Sequence, residues 1–419
     1  MKLNRSKFAR AIFSLVILVG CSTPNRAVSS SDAESDSPAL AGEWSSQCYA
    51  LPKRHSIIFQ ASFSNGKMLA KGLQFADEAC QNFNLTMSLQ SKYSIGKKSG
   101  DGYEINFIPD SISIEIFNPD ALKYYRLKKS CGISNWVLNQ KIELIDRNCE
   151  PTVIPPSLQK DGEDIFRAVN NELLFGNFPF GFSETRPTQL SHILPLKRMS
   201  SEVAQDLEVY QKYVAELNSK FNQLPENPND KIWVQAKISH MVDIDQYVRN
   251  YFFKTPVEHN YSEAEKTDFF KLLGIEMHAV DLLNTADLKK LLKVYPWFTI
   301  SSFGKDTDNE AWLLVQHADQ DSQFQKDILK ILGELWPKAE TKPANYALLY
   351  DRIVFAPDHP NDRKPQRYGT QGTCVNAKWQ AYQSEDPAHL DDRRATVGLG
   401  PEADYAKQMN DLGFCKGFK

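Results

Sequence analysis

Phe83-Asn84-Leu85-Thr86-Met87-Ser88-Leu89 and, further on, Ile112-Ser113-Ile114-Glu115-Ile116 alternate apolar and polar side chains with period two. Successive residues of a strand point to opposite faces, so this is the pattern of a sheet with one buried face. Outward from these runs the punctuation agrees. Ile57-Ile58-Phe59 leads to Phe63 and is broken by Ser64-Asn65-Gly66-Lys67, where Asn-Gly is a strong hairpin signal. Gly100-Asp101-Gly102 separates two more extended runs. Residues 41–150 therefore read as a small antiparallel β-sheet or partly closed barrel.

Residues 151–199 contain Pro151, Pro155, Pro156, Pro179, Pro187 and Pro195. Proline removes backbone donors and breaks regular elements, so this stretch reads as a linker with one helix at about 158–175. From residue 200 the period changes. Val203, Leu207, Tyr210, Val214, Leu217 and Phe221 form one face of an amphipathic helix, with Ser201 at its start and Pro225 beyond its end. Further helical patterns follow to about residue 412, including separate ones at 262–280 and 285–294. The fold class is thus α+β multidomain, a β-domain followed by a mainly α-helical domain over 200–419.

The start of the chain carries an address. Lys2, Arg5, Lys7 and Arg10 precede a short apolar run, Ala11–Val19, and then Leu18-Val19-Gly20-Cys21. The run is too short to span a bilayer as a lasting helix and has the layout of a secretory signal over 1–20. Its junction resembles the lipobox of bacterial lipoproteins. That resemblance implies diacylglycerol on the Cys21 thiol and an acyl chain on its amine, hence a membrane partner. Ser22 after the cysteine implies a periplasm-facing chain on the outer rather than the inner membrane. Residues 22–40, rich in Ser, Asp and Pro, read as a flexible tether.

Composition bounds the partners. The chain has 419 residues, 49 basic and 52 acidic; without the four signal-region cations the balance is 45 to 52. An acidic excess argues against nucleic-acid binding, which needs a basic face. Beyond Cys21 there are six cysteines, Cys48, Cys80, Cys131, Cys149, Cys374 and Cys415. An even set in an exported chain fits three disulfides, for which 15 pairings are possible. Local pairing gives Cys48–Cys80, Cys131–Cys149 and Cys374–Cys415. Metal binding is the weaker alternative, because no C-x-x-C or tight Cys/His cluster occurs.

Two further resemblances follow from motifs. Gly42-x-Trp44-x-x-x-Cys48, Phe75-x-Asp77-x-x-Cys80 and Tyr93-x-Ile95-Gly96 are similar to small lipocalin-like domains of bacterial envelope proteins. That implies either a binding barrel or, as we favour, a spacer in which Trp44 packs on a disulfide. In the second half, Asp245-Gln246-x-x-Arg249, Trp312-x-x-x-Gln316-His317-Ala318-Asp319, Leu348-Leu349-Tyr350-Asp351-Arg352, Gln366-Arg367-Tyr368-Gly369-Thr370-Gln371 and Asp391-x-Arg393-Arg394-x-x-x-Gly398-Leu399 occur in order. This set resembles the uncharacterised bacterial family DUF6624 over about 200–419. The family has no assigned activity to carry over. Pro357–Pro360 and Cys374–Trp379 depart from its pattern as local insertions.

No G-x-S-x-G, H-E-x-x-H, P-loop or G-x-G-x-x-G occurs, and no cofactor is implied. Gly398-Leu399-Gly400-Pro401 reads as a helix stop and restart. His317 is the one histidine inside a motif, with a side-chain type suited to general acid–base chemistry. Asp319 or Asp245 would orient it. Arg352, Arg367, Arg393 and Arg394 would clamp a phosphate or carboxylate, with Tyr368, Thr370 and Gln371 as loop donors. Asp245 and Arg249 share a helix face and should pair. Two functions remain open. One is a hydrolase or transferase acting on an anionic envelope substrate through His317. The other is a binding or scaffolding lipoprotein whose polar motifs, including Asp245, Gln246, Arg249 and Gln316, are structural.

Overall fold

A computed structural model describes residues 40–52, 55–183, 185–355, 363–412 and 415. The signal region, Cys21, the tether before Leu40 and Pro357–Pro360 lie outside the described residues. The chain divides into two compact units. A barrel unit holds the described residues up to Lys220 together with Ile244–Leu283, and a helical unit holds Phe221–Asp243 and Asn284 onward.

In the barrel unit the strands are β1 (Gly42–Ser46), β2 (Tyr49–Leu51), β3 (His55–Ser64), β4 (Lys67–Phe75), β5 (Phe83–Ser99) and β6 (Gly102–Ile116). After helix α1 (Pro119–Lys128) come β7 (Ile142–Glu143), β8 (Gly162–Val169), β9 (Glu172–Phe175) and β10 (Leu196–Arg198). Neighbouring strands run antiparallel in the order β1-β10-β9-β8-β6-β5-β4-β3, and β1 also pairs with β3. The ring is therefore a closed eight-stranded antiparallel barrel, with β2 and β7 added outside it on β3 and β6.

Register explains the interior. Phe63 lies across from Met68, Ala61 across from Ala70, Leu89 across from Ile112 and Leu85 across from Ile116. These residues, with Trp44, Phe107 and Phe175, form one buried core. An eight-stranded barrel is just wide enough for side chains to fill it. Here rings do so: Phe107 stacks on Phe182 at 4.7 Å and Phe178 meets Phe59 edge-on at 5.0 Å. Gly162 is required where Phe182 crosses β8, since a Cβ there would fall 2.2 Å from the Phe182 Cβ. The Asn65-Gly66 hairpin is present, with both residues at positive φ, as a two-residue turn of this hand requires. Trp44 lies under the Arg198 guanidinium, 4.2 Å from its ring centroid, and donates to the Leu40 carbonyl.

Residues 151–199 correct the linker reading. They supply β8, β9 and β10, and no helix covers 158–175; among the described residues the helical turn in this stretch is a short 3-10 segment, Pro156–Gln159. Asp164, fully buried on β8, receives the backbone N–H groups of Ile165, Gly176, Asn177 and Phe178. An interior carboxylate breaks the apolar alternation by which strands are recognised. The outer face of β3–β5 is apolar too. Ile58, Leu73, Phe75 and Phe83 pack with Val203, Leu207, Tyr210, Phe252, Phe269 and Leu273. These come from α2 (Ser201–Phe221), α3 (Lys231–Glu258) and α4 (Glu263–Leu292).

α4 is one continuous helix, so the expected break between 280 and 285 does not occur. Asn284 and Thr285 are poor helix formers, but both are buried and bonded. Asn284 donates to the Met241 carbonyl at 3.5 Å and Thr285 accepts from Gln320 at 2.9 Å.

The helical unit continues with α5 (Ile300–Gln316), α6 (Ser322–Leu335), α7 (Pro343–Phe355), a hairpin β11 (Gly372–Val375) and β12 (Lys378–Ala381), α8 (Leu390–Thr396) and α9 (Glu402–Asp411). Among the described residues there are nine α-helices, and none is long and apolar enough to cross a membrane. Gly398, at φ +70°, ends α8 and Pro401 restarts the chain as α9, as read. All three local cysteine pairs are disulfides: Cys48–Cys80, Cys131–Cys149 and Cys374–Cys415.

Candidate functional site

In the helical unit the polar motifs converge on the ends of buried helices. Ala311-Trp312-Leu313-Leu314-Val315 of α5 is apolar all round and wholly buried, as a helix enclosed on every side must be. It delivers Gln316 and His317, both buried, at its C-terminus, where His317 is the cap residue. Gln325 on α6 donates to the Val315 and Gln316 carbonyls at 3.1 and 3.4 Å, satisfying acceptors that a helix end leaves open.

Asp319 follows in the α5–α6 loop. Its Oδ1 accepts from Arg352 Nε at 2.9 Å and from Gln325 at 3.2 Å, while its Oδ2 accepts from Arg352 Nη2. The pair is bidentate and Arg352 is buried, which is the strong geometry for a guanidinium and a carboxylate. Burial pushes the Asp319 carboxyl up, but the Arg352 charge and hydrogen bonds, with smaller contributions from Gln325 and His317, hold it below the usual carboxylate range. Arg352 Nη1 also reaches Gln371 Oε1 at 3.4 Å.

Asp351, the residue before Arg352 on α7, points elsewhere. Its carboxylate accepts the backbone N–H groups of Arg367, Tyr368 and Thr370 and the Thr370 hydroxyl, all at 2.9–3.1 Å. Burial raises its pKa and these hydrogen bonds pull it back. Gln366 braces the same loop, donating to the Gln371 carbonyl and accepting its N–H. The Gln366–Gln371 loop is thus held from inside by one carboxylate and one amide.

The remaining arginines do not form a clamp. Arg394 is buried and donates to the carbonyls of Gly400 and Tyr368, both at 2.6 Å. Arg393 donates to the carbonyls of Arg367 and Asp386. Arg367 is half exposed near Glu385, at 3.8 Å. The Arg393 and Arg394 guanidinium groups therefore lock α8 against the loop. A groove of about 340 Å³ in the helical unit is lined by Lys289, Lys293, Phe324, Ile328 and Ile331, and none of the motif residues lines it.

In the barrel unit, Asp245 on α3 is fully buried and pairs with Arg249 at 2.8 Å, as the four-residue spacing requires. Gln246 donates to the other Asp245 oxygen. Arg249 also holds both oxygens of Asp281 on α4, at 2.8 and 3.0 Å.

Three clusters were not read from the sequence. Asp281 completes the Arg249 triad from 32 residues away. Asp206 accepts from the His259 ring at 2.6 Å and from the Tyr261 hydroxyl. Asp308, buried on α5, accepts from the Trp297 indole at 2.8 Å and from Asn345. Each joins residues distant in sequence, so no local spacing marks them.

Residues 234–417 match DUF6624, described as a family of unknown function. The match covers less than half of the chain and starts within α3, so α2 lies outside it. No curated protein matches the chain.

Proposed function

We propose that the chain is an exported lipoprotein held by acyl groups on Cys21, favouring the outer membrane, and that its DUF6624-like part is a non-catalytic binding or scaffolding module. The observation that carries this reading is the engagement of the guanidinium groups. Arg352 is bound to Asp319, and Arg394 and Arg393 to backbone carbonyls. A substrate clamp needs donors that an anion can claim; these are used in holding the unit together. The three disulfides support an oxidising compartment. The barrel, read as lipocalin-like, has an interior occupied by side chains, which favours a spacer over a ligand carrier.

One observation favours a second reading. Asp319, kept ionised by Arg352, lies two residues after buried His317 at the same helix end. That arrangement suits a hydrolase or transferase on an anionic envelope substrate, with His317 as general base and Asp319 orienting it.

His317→Ala separates the two. The scaffolding reading expects lower stability on urea unfolding with unchanged retention of whatever envelope component copurifies. Loss of a hydrolytic activity on anionic envelope extracts, at unchanged stability, would establish the enzyme instead.

A further inference from the structure

The end of the barrel at which the described chain begins carries an exposed cationic and aliphatic face. Gly42 pairs with Phe63, so the chain joins the barrel beside the Asn65-Gly66 turn. Lys67, the first residue after that turn, lies directly across from Lys92, and Lys92 directly across from Ile108. Directly opposed residues share a face. This row is therefore one side of the sheet, and Leu69 lies two residues further along it. Leu69 and Ile108 are 53% and 49% exposed.

Two like charges directly opposite each other weaken a sheet; among the described residues Lys92 has an acid within reach, Asp110 at 3.3 Å, and Lys67 forms no ion pair. Exposed aliphatics and an opposed lysine pair are both unfavourable to a barrel in water. Both are favourable against an anionic, partly apolar surface.

We propose that this face lies against the anionic phospholipid headgroups of the membrane that holds the anchor. The proposal rests on the reading of Cys21 as lipid-bearing. Cys21 precedes Leu40 by nineteen residues, a contour of at most roughly 65 Å, and the chain meets the barrel at this end. The face is thus on the part of the unit that the anchor draws toward the bilayer. Acyl chains supply the insertion, and Lys67, Lys92, Leu69 and Ile108 set the orientation.

The test uses the mature chain, residues 21–419, carrying Cys21→Ser, so that neither lipid nor the cationic and apolar signal region contributes. It is sedimented with vesicles of phosphatidylcholine alone and of phosphatidylcholine and phosphatidylglycerol in equal parts. Partitioning should favour the anionic vesicles by roughly tenfold and fall with added salt. Lys67→Glu with Lys92→Glu should lower it by roughly tenfold or more, and Leu69→Asp with Ile108→Asp should lower it as well. Lys123→Glu, on α1 at the opposite end of the barrel, should leave it unchanged. Near-ultraviolet circular dichroism confirms that each variant is folded. Equal binding to both vesicle types, or a charge reversal no more damaging than Lys123→Glu, would overturn the proposal. The anchor is read separately, from acyl mass on Cys21 of the unmodified chain. An unacylated Cys21 with retained vesicle binding would remove the anchor and leave the face.

Discussion

The inside of the barrel and the helical unit differ in the polar side chains they bury beside their apolar ones. The barrel interior is rings and aliphatics, with Asp164 as its buried charge among the described residues. The helical unit buries Asp308, Glu310, His317, Asp351, Arg352 and Arg394 beside its apolar core. In the first, specificity comes from strand register, because a one-residue slip would turn every interior side chain outward. In the second, it comes from charges and amides that must each find a particular acceptor. The barrel and the helical unit should therefore fail in different ways.

The largest expected effect is at Asp351. Asp351→Leu removes the acceptor of three backbone N–H groups and leaves those of Tyr368 and Thr370 buried. Each buried loss costs on the order of 1–3 kcal/mol, so these two alone should lower local stability by about 2–6 kcal/mol. Hydrogen exchange at Arg367, Tyr368 and Thr370 should pass from protected to fast; unchanged protection would break the contrast. Next come the disulfides. Replacing Cys131 and Cys149, 18 residues apart, by alanine should lower barrel stability by about 3 kcal/mol in urea. The same change at Cys374 and Cys415, 41 apart, should cost the helical unit about 4 kcal/mol if loop closure alone decides. Equal losses, or a reversed order, would mean that packing outweighs chain entropy. The smallest effect is at the Asn65-Gly66 turn. Asn65 has φ +50°, so Asn65→Ala should lower the urea midpoint by the equivalent of about 1 kcal/mol. No change there would weaken the view that register is set by turns.

The same contrast decides what could be read from residues alone. β3 to β6 were legible because Phe59, Leu85, Leu89 and Ile112 fall on one side of a period-two pattern. β8 was not, since its inward positions are Gly162, Asp164, Phe166 and Ala168, while buried Ile165 faces outward. Surrounding prolines then suggested a linker. In the helical unit the run of helices to about residue 412 followed from periodicity, but their polar partners did not. Asp351 and Arg352 are neighbours in sequence, yet one holds the Gln366–Gln371 loop and the other Asp319. Asp245 with Arg249 was legible because both ends lie within one helical turn. Asp281, Asp308 and Asp206 were invisible because their partners are long-range.

Closure of the barrel through β1 sets an order of events during biogenesis. β1 is the first strand to emerge and its seam partner β10 the last, starting at Leu196. Until that residue is available, β1 and β9 both present unpaired edges, the surface on which strands of other chains add. A chain delivered from its N-terminus therefore passes through a long adhesive interval. Shielding by a holding factor, or dilution, during that interval would decide the yield of native protein more than the final stability of the barrel.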